Sequence, residues 1–323
     1  MSTTGLGDSL WADPAIKALK RACPDARLFL LTSFIGKEVF KEHPDIERIF
    51  LFKKSCLSFF SQLYQLRKWQ VHTAIIFHIS QRIAVPLTLL SGADVTISSQ
   101  GLNKGLDDLF QQIVSVKKEH EIERRLRLVA FCETKKVAPK LSFFIEKESL
   151  SFVDKFLENF KTQNFICFHM GGKDLFKRWS LENFIHLGQL ISEKYPHHIL
   201  LTGDQKEKKL ADIFCQQVAK SFNVCGLFDL HQTAALIQKT NLMITNDTGP
   251  MHISFALDKP TIAIFGPTDP FLCGPWKTKK GIVMQTHATC FPCLKKKCQE
   301  PFCLLQISPK QVFDQADQIL SSI

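Results

Sequence analysis

Four short segments carry residues whose types and spacing suit a phosphorylated ligand. The first is Gly5-Leu6-Gly7-Asp8, followed by the helix-forming run Pro14-Ala15-Ile16-Lys17-Ala18-Leu19. Glycines let a backbone approach a ligand closely, and a following helix offers unpaired N–H groups. On these residues alone, Asp8 reads more simply as a helix cap. The second is His169-Met170-Gly171-Gly172-Lys173, running on through Lys177-Arg178-Trp179-Ser180. Two glycines beside a cluster of cations suit a diphosphate, and a plain loop with solvated lysines is the alternative. The third is Asn246-Asp247-Thr248-Gly249-Pro250-Met251-His252. Pro250 fits a first helical turn capped by Thr248 or Gly249, and such a helix start aims N–H groups and a positive dipole end at an anion. A simple structural cap needs neither Asp247 nor His252. The fourth, Gly266-Pro267-Thr268-Asp269-Pro270, is a turn in any reading.

Positioning these segments requires strands that end just before them. Short β-branched or aliphatic runs alternate with amphipathic stretches along most of the chain, the pattern of parallel strands joined by crossover helices. Strands are predicted at 27–32, 48–52, 73–78 and 93–98, with helices at 15–22, 57–69 and 82–90. The pattern blurs over residues 100–139, where 119–131 reads as one helix. It restarts with strands at 164–169, 198–202, 222–224, 241–245 and 261–265. The helices among them are predicted near 149–161, at 181–194, 205–218 and 231–239, and after Gly249. A last amphipathic stretch, 309–323, closes the chain. The second, third and fourth segments thus fall at the carboxyl ends of strands, where open α/β sheets bind ligands.

A length of 323 residues exceeds one ordinary α/β domain, and the boundary is placed near residue 150, giving domains 1–150 and 151–323. The formal charge of +10 suits an anionic partner without choosing among nucleotide phosphates, an acidic glycolipid, a membrane surface or nucleic acid. Basic runs such as Arg124-Arg125 read most simply as solvated faces. No apolar run approaches the ~20 residues of a membrane span, and the first residues lack the marks of a secretory signal. The expected location is therefore the cytoplasm. Dispersed cysteines in apolar surroundings fit a reduced compartment.

Taken together and in order, G-x-G-D-x5-P, K-R-W-S, N-D-T-G-P-M-H and P-T-I-A-I-F-G-P-T-D-P resemble glycosyltransferase family 9, the heptosyltransferases of lipopolysaccharide inner-core assembly. The resemblance covers most of the chain and is weakest over 100–140. It implies a GT-B architecture, an α/β fold of two Rossmann-like domains facing each other across a cleft. The first would bind the acceptor, with Gly5 and Gly7 at its site, and the second the nucleotide sugar. The terminal helix would pack back on the first. Residue by residue, Asp8 matches the proposed catalytic base and Lys177 a lysine at the donor diphosphate. Asp247, Thr248 and Gly249 match the donor-binding D-T-G, with Gly171, Gly172 and His252 beside it. The implied reaction is inverting transfer of heptose from ADP-heptose to the Kdo/heptose inner core, without metal or other cofactor. The acceptor would be a lipid-linked acidic saccharide met at the inner face of the cytoplasmic membrane by a peripheral, monomeric enzyme. Transfer of another nucleotide sugar, such as N-acetylglucosamine, to core or surface polysaccharide is the close alternative.

Two departures from the family pattern matter. Only residues 1–4 precede the G-x-G-D turn, where relatives carry an apolar strand. Its loss from the middle of a sheet would leave neighbours unpaired, pointing either to a start upstream or to a shortened, low-activity relative. Secondly, Cys290, Cys293, Cys298 and Cys303 cluster as no zinc ribbon does, yet four thiols can hold Zn²⁺. With the basic surface, they leave a nucleic-acid-binding module as the competing class. No interleaved aromatic and basic motif supports it, and nucleic acid is not an expected partner.

Overall fold

The structure is a computed structural model that describes residues 5–53, 55–77, 83–132, 139–160, 162–286, 290, 298 and 301–322. The chain divides into two compact units, Met1–Phe144 and Ile145–Ile323.

In the first unit, α1 (Leu6–Leu10) runs almost directly into α2 (Asp13–Ala22). α2 begins with Pro14, whose missing N–H costs nothing in a first turn, and buries Ala15, Ile16 and Ala18 on one face. Then follow β1 (Phe29–Thr32), α3 (Phe34–Phe40), β2 (Arg48–Leu51), α4 (Cys56–Lys68), β3 (Thr73–Ile75), α5 (Ala84–Leu90), β4 (Val95–Ser99), β5 (Gln112–Val114) and α6 (Glu121–Val129). All strand pairs are parallel, but they form two sheets, β1–β2 and β3–β4–β5. An apolar slot of about 140 Å³ borders both, lined by Phe29 and Leu31 of β1, Ala74 and Ile75 of β3, and Ile16 and Leu19 of α2. The predicted strand end at His78 and the four residues ahead of Gly5 lie outside the described residues.

A buried carboxylate that the sequence reading passed over ties this unit together. Asp13 is fully buried and accepts from Lys17 Nζ at 2.9 Å and from the Ser142 N–H at 2.8 Å. His43 Nδ1 accepts the Asp45 N–H, so its Nε2 carries the proton it gives to Asp13 at 3.1 Å. Asp13→Ala leaves three donors without their acceptor. It is expected to lower unfolding stability by about 3–5 kcal/mol, read as a shift of the urea midpoint. A loss below 1 kcal/mol would show that the network contributes little.

The second unit holds α7 (Lys147–Leu157), β6 (Phe165–His169), α8 (Leu181–Lys194), β7 (His198–Leu201), α9 (Lys208–Gln217), β8 (Ser221–Asn223), α10 (Leu230–Lys239) and β9 (Leu242–Asn246). It continues with α11 (Gly249–Ala256), β10 (Thr261–Ile264), α12 (Pro270–Cys273), β11 (Gly281–Met284), α13 (Phe302–Leu305) and α14 (Pro309–Leu320). Its six strands are parallel in the order β11-β10-β9-β6-β7-β8. Every residue of β6 and β9 is buried, as expected for central strands covered on both faces by helices. The strand order reverses between these two, so the connections leaving them go to opposite faces and open a crevice.

The terminal helix α14 is fixed by a capping box of Ser308 and Gln311. Its buried face, Val312, Phe313, Ala316 and Leu320, lies in the core of the second unit, against α8, β9 and β10.

Candidate active site

The crevice of the second unit contains a cavity of about 550 Å³, bordered by the loops after β6, β7 and β9 and by the starts of α10 and α11. Three buried or half-buried side chains hold those loops. Asn246, at the end of β9, donates from its amide to the carbonyls of Met170 at 2.8 Å and Gly171 at 3.2 Å. Its oxygen accepts the Trp179 N–H at 3.0 Å. Trp179 is in turn pinned by its indole N–H, which donates to the Ile307 carbonyl at 2.9 Å. Glu207 accepts the Gly172 N–H at 2.9 Å with one oxygen and the Asp204 N–H at 3.0 Å with the other. Arg178 donates to the Gly172 carbonyl at 2.7 Å and faces Glu207 at 3.7 Å.

A Cβ at either glycine of the β6 loop would force a neighbour to move, and Gly172 also has a backbone conformation that favours glycine. A Cβ on Gly171 would lie 1.7 Å from a Glu207 carboxylate oxygen. Gly172 has φ +152, and its Cβ would meet the Thr248 methyl at 3.0 Å. The loop therefore brings its backbone to the cavity because no side chain intervenes.

Lys177 and Asp247 meet at 2.9 Å, with the carboxylate nearly buried. Burial pulls the Lys177 ammonium down, but the Asp247 carboxylate more than offsets it, and the pKa stands above that of an ordinary lysine. The cation is thus held charged next to α11. That helix starts with Thr248 as N-cap, no side-chain cap bond and Pro250 in the first turn. Its first-turn N–H groups are left to meet an anion. His169, at the end of β6, is buried; its Nδ1–H donates to the Thr202 carbonyl at 3.0 Å. Burial is the largest influence and lowers its pKa, so the ring is neutral and presents Nε2 as an acceptor. His252 is buried within α11, its ring edge-on to Phe255; of the expected donor residues, Gly172, Thr248 and Gly249 line the cavity, and Gly171, Lys177, Asp247 and His252 do not.

In the first unit, Asp8 lies in the first turn of α1, whose N-cap Gly5 has ordinary extended backbone. Gly7 is inside the helical turn, so neither glycine makes a left-handed bend. No hydrogen bond reaches the Asp8 carboxylate among the described residues, so it is not the helix cap. Its backbone carbonyl is anchored instead, accepting from Arg125 at 3.2 Å. Arg125 is fully buried over the Trp11 ring. Burial, then the neighbouring Arg124, pull its pKa down to about 10, which leaves it charged at neutral pH. Both arginines share Glu121, at 2.8 and 2.6 Å. Burial raises the Glu121 pKa, and the two guanidinium groups bring it below the usual carboxylate range. Arg124 also donates to the Phe77 carbonyl at 2.9 Å and to Ser99 Oγ at 3.1 Å. The expectation of a solvated basic face is corrected for these two residues: paired with Glu121 and carbonyls, they are interior.

Of the cysteine cluster, Cys290, Cys298 and Cys303 are described and Cys293 is not. Among the described residues, no three of His, Cys, Asp and Glu converge as a metal site.

Known proteins resemble this chain in sequence and in fold. Residues 92–303 match Glycosyltransferase family 9 (heptosyltransferase). Lipooligosaccharide heptosyltransferase 2 of Campylobacter jejuni serotype O:2 is 28% identical over 343 aligned positions, covering 99% of this chain and 97% of the relative. Among solved structures, a glycosyl transferase family 9 protein of Veillonella parvula superposes with a TM-score of 0.87 at 21% identity, over 100% of this chain and 97% of that one. The ADP-heptose lipopolysaccharide heptosyltransferase II of Escherichia coli gives 0.80 at 19% identity, over 99% and 98%. Such distant likeness speaks for a shared GT-B fold, while the sequence match spans more than half the chain. With the family match running through residues 92–303, the chain belongs to glycosyltransferase family 9, the heptosyltransferases.

Proposed function

We propose that this enzyme transfers heptose from ADP-heptose to the inner core of lipopolysaccharide or lipooligosaccharide, with inversion at the anomeric carbon. The observation that carries the reading is the pairing of cation and helix start at the crevice: Lys177, held charged by Asp247, stands beside the uncapped first turn of α11. That arrangement suits the diphosphate of a nucleotide sugar. As the bond from the anomeric carbon to the diphosphate breaks, negative charge builds on the departing oxygen. Lys177 and the N–H groups at Gly249 stabilise it there without a metal ion. Gly171 and Gly172 admit the phosphates to their backbone, while Asp247 and Thr248 meet the sugar side. His252, buried behind the helix start, supports α11 rather than touching the donor.

Asp8 takes the acceptor role. An acceptor hydroxyl is a poor nucleophile unless its proton is removed as the new bond to carbon forms. Asp8 accepts that proton, and the displacement completes in one step with no covalent enzyme intermediate. The relatives are named as lipopolysaccharide and lipooligosaccharide heptosyltransferases, so a lipid-linked acidic saccharide at the inner membrane face is the proposed partner here. Among the described residues, no helix is long and apolar enough to cross a membrane.

Calorimetric titration with ADP, UDP and GDP tests the donor. The expected result is micromolar-range binding of ADP with at least about a tenfold preference over UDP and GDP. Preferential UDP binding would keep the fold and reassign the donor sugar. Absence of binding to all three by folded protein would overturn the donor site.

A further inference from the structure

Between Glu47 and Asp94 the chain contains no carboxylate, yet it contains Arg48, Lys53, Lys54, Arg67, Lys68 and Arg82. Within this stretch, α4 has two apolar faces. The inner face is conventional: Phe59 and Leu63 pack on Leu31, Phe50 and Phe52, and Leu66 is buried. The outer face carries Leu57, Phe60 and Tyr64, which are 85%, 66% and 64% exposed. Their spacing of three and four places them in one stripe, and Lys68 lies four residues further along the same line. Beside the stripe, an apolar cavity of about 420 Å³ opens among Phe52, Cys56, Phe59, Phe60 and Ile83.

A single exposed leucine needs no explanation, but three large apolar side chains in register beside an open apolar cleft mark a contact surface. Its charge identifies the occupant. Lys53 is exposed at the start of α4 and Lys68 at its end, and Arg48 stacks on Trp69 at 4.9 Å just beyond, where Arg27 also stacks at 5.0 Å but is paired with Glu47. An apolar stripe ended by cations, with no carboxylate on the helix, is the pattern of a helix lying in the headgroup plane of an anionic membrane.

We infer that the outer face of α4 is a membrane-docking surface that seats this enzyme on anionic lipid, with Leu57, Phe60 and Tyr64 entering the acyl boundary. Lys53 and Lys68 meet the lipid phosphates. The inference deepens the reading of a lipid-linked acceptor, because it assigns the membrane contact to named side chains. It uses no residue placed in the reaction.

The test is flotation of the full chain with phosphatidylcholine vesicles, with and without phosphatidylglycerol. The wild type is expected to float with the anionic vesicles and poorly with neutral ones, with binding falling as salt rises. Leu57→Ser/Phe60→Ser/Tyr64→Ser should reduce anionic-vesicle partitioning at least about tenfold. Lys53→Glu/Lys68→Glu should abolish the preference for anionic lipid, also at least about tenfold. These side chains point outward, so thermal midpoints should be unchanged. Should the triple variant unfold, Tyr64→Trp supplies the answer: its emission must shift to shorter wavelength with anionic vesicles. Wild-type flotation that neither variant reduces would overturn the assignment. So would absence of wild-type flotation with anionic vesicles, and a dimer that the triple variant dissociates would then show that the stripe joins two copies. ADP binding is measured separately on soluble protein, so failure of the docking surface and failure of the donor site are distinguishable.

Discussion

Asp8→Asn is expected to lower kcat by about 10²–10⁴-fold, the range that loss of a positioned general base produces. The substitution keeps the side-chain shape and removes only the capacity to take a proton. The surroundings of Asp8 are compatible with the proposed role. Its backbone carbonyl is fixed by the buried Arg125, while its carboxylate makes no hydrogen bond among the described residues. The positive charge next to it is limited, because Glu121 pairs with both Arg124 and Arg125. Titration with ADP should give the same affinity for the variant within about twofold, because the cavity lined by Gly172 and Thr248 belongs to the other unit. Single-turnover kinetics with a saturating acceptor isolate the chemical step. Turnover within about fivefold of the wild type would remove Asp8 from the reaction and reduce the α1 turn to a structural element.

Most of the second unit is legible in the sequence, and physical locality explains why. Helix 181–194 is predicted to the residue, since Ser180 caps it and its apolar positions recur at helical spacing. The central strands β6 and β9 are readable as unbroken apolar runs. Gly171, Gly172 and the Thr248-Gly249-Pro250 helix start announce themselves through chain geometry. The structure adds what only distant contacts decide. β5 and β11 escaped because each is short and only partly buried, and neither shows an apolar alternation. Arg124 and Arg125 read as solvent-facing because their partners, Phe77, Ser99 and the Asp8 carbonyl, come from other elements. Asn246 stood within a motif already noticed, but its staple between Met170 and Trp179 spans 76 and 67 residues of chain. Glu207 is the one missed residue with a local clue. Asp204 and Glu207 stand in the spacing of a capping box, and each indeed accepts the other's N–H. Its second oxygen, on Gly172, is the part that only the fold supplies.

Lys177→Ala is expected to reduce kcat/KM by about 10²–10³-fold, comparable with removing one donor from a site that stabilises developing negative charge. The single variant is ambiguous, because Lys177 has two possible duties. It neutralises Asp247, which is nearly buried, and it faces the proposed position of the diphosphate. Removing it exposes Asp247 to the cost of an unpaired buried anion, which alone could disturb the start of α11. A double-mutant cycle separates the two. In an Asp247→Asn background the carboxylate charge is gone, so a lysine serving only Asp247 has nothing left to do, and Lys177→Ala would then cost little further activity. A lysine that meets the phosphates still matters, and its loss should again cost on the order of a hundredfold. Burial pulls the Lys177 pKa down and Asp247 more than offsets it; in the Asp247→Asn background only the burial remains, acting on an ordinary value well above neutrality. Near-equal losses in the two backgrounds assign Lys177 to the donor phosphates. A loss confined to the wild-type background makes it a positioning residue for Asp247, and charge stabilisation then falls to the backbone N–H groups of α11.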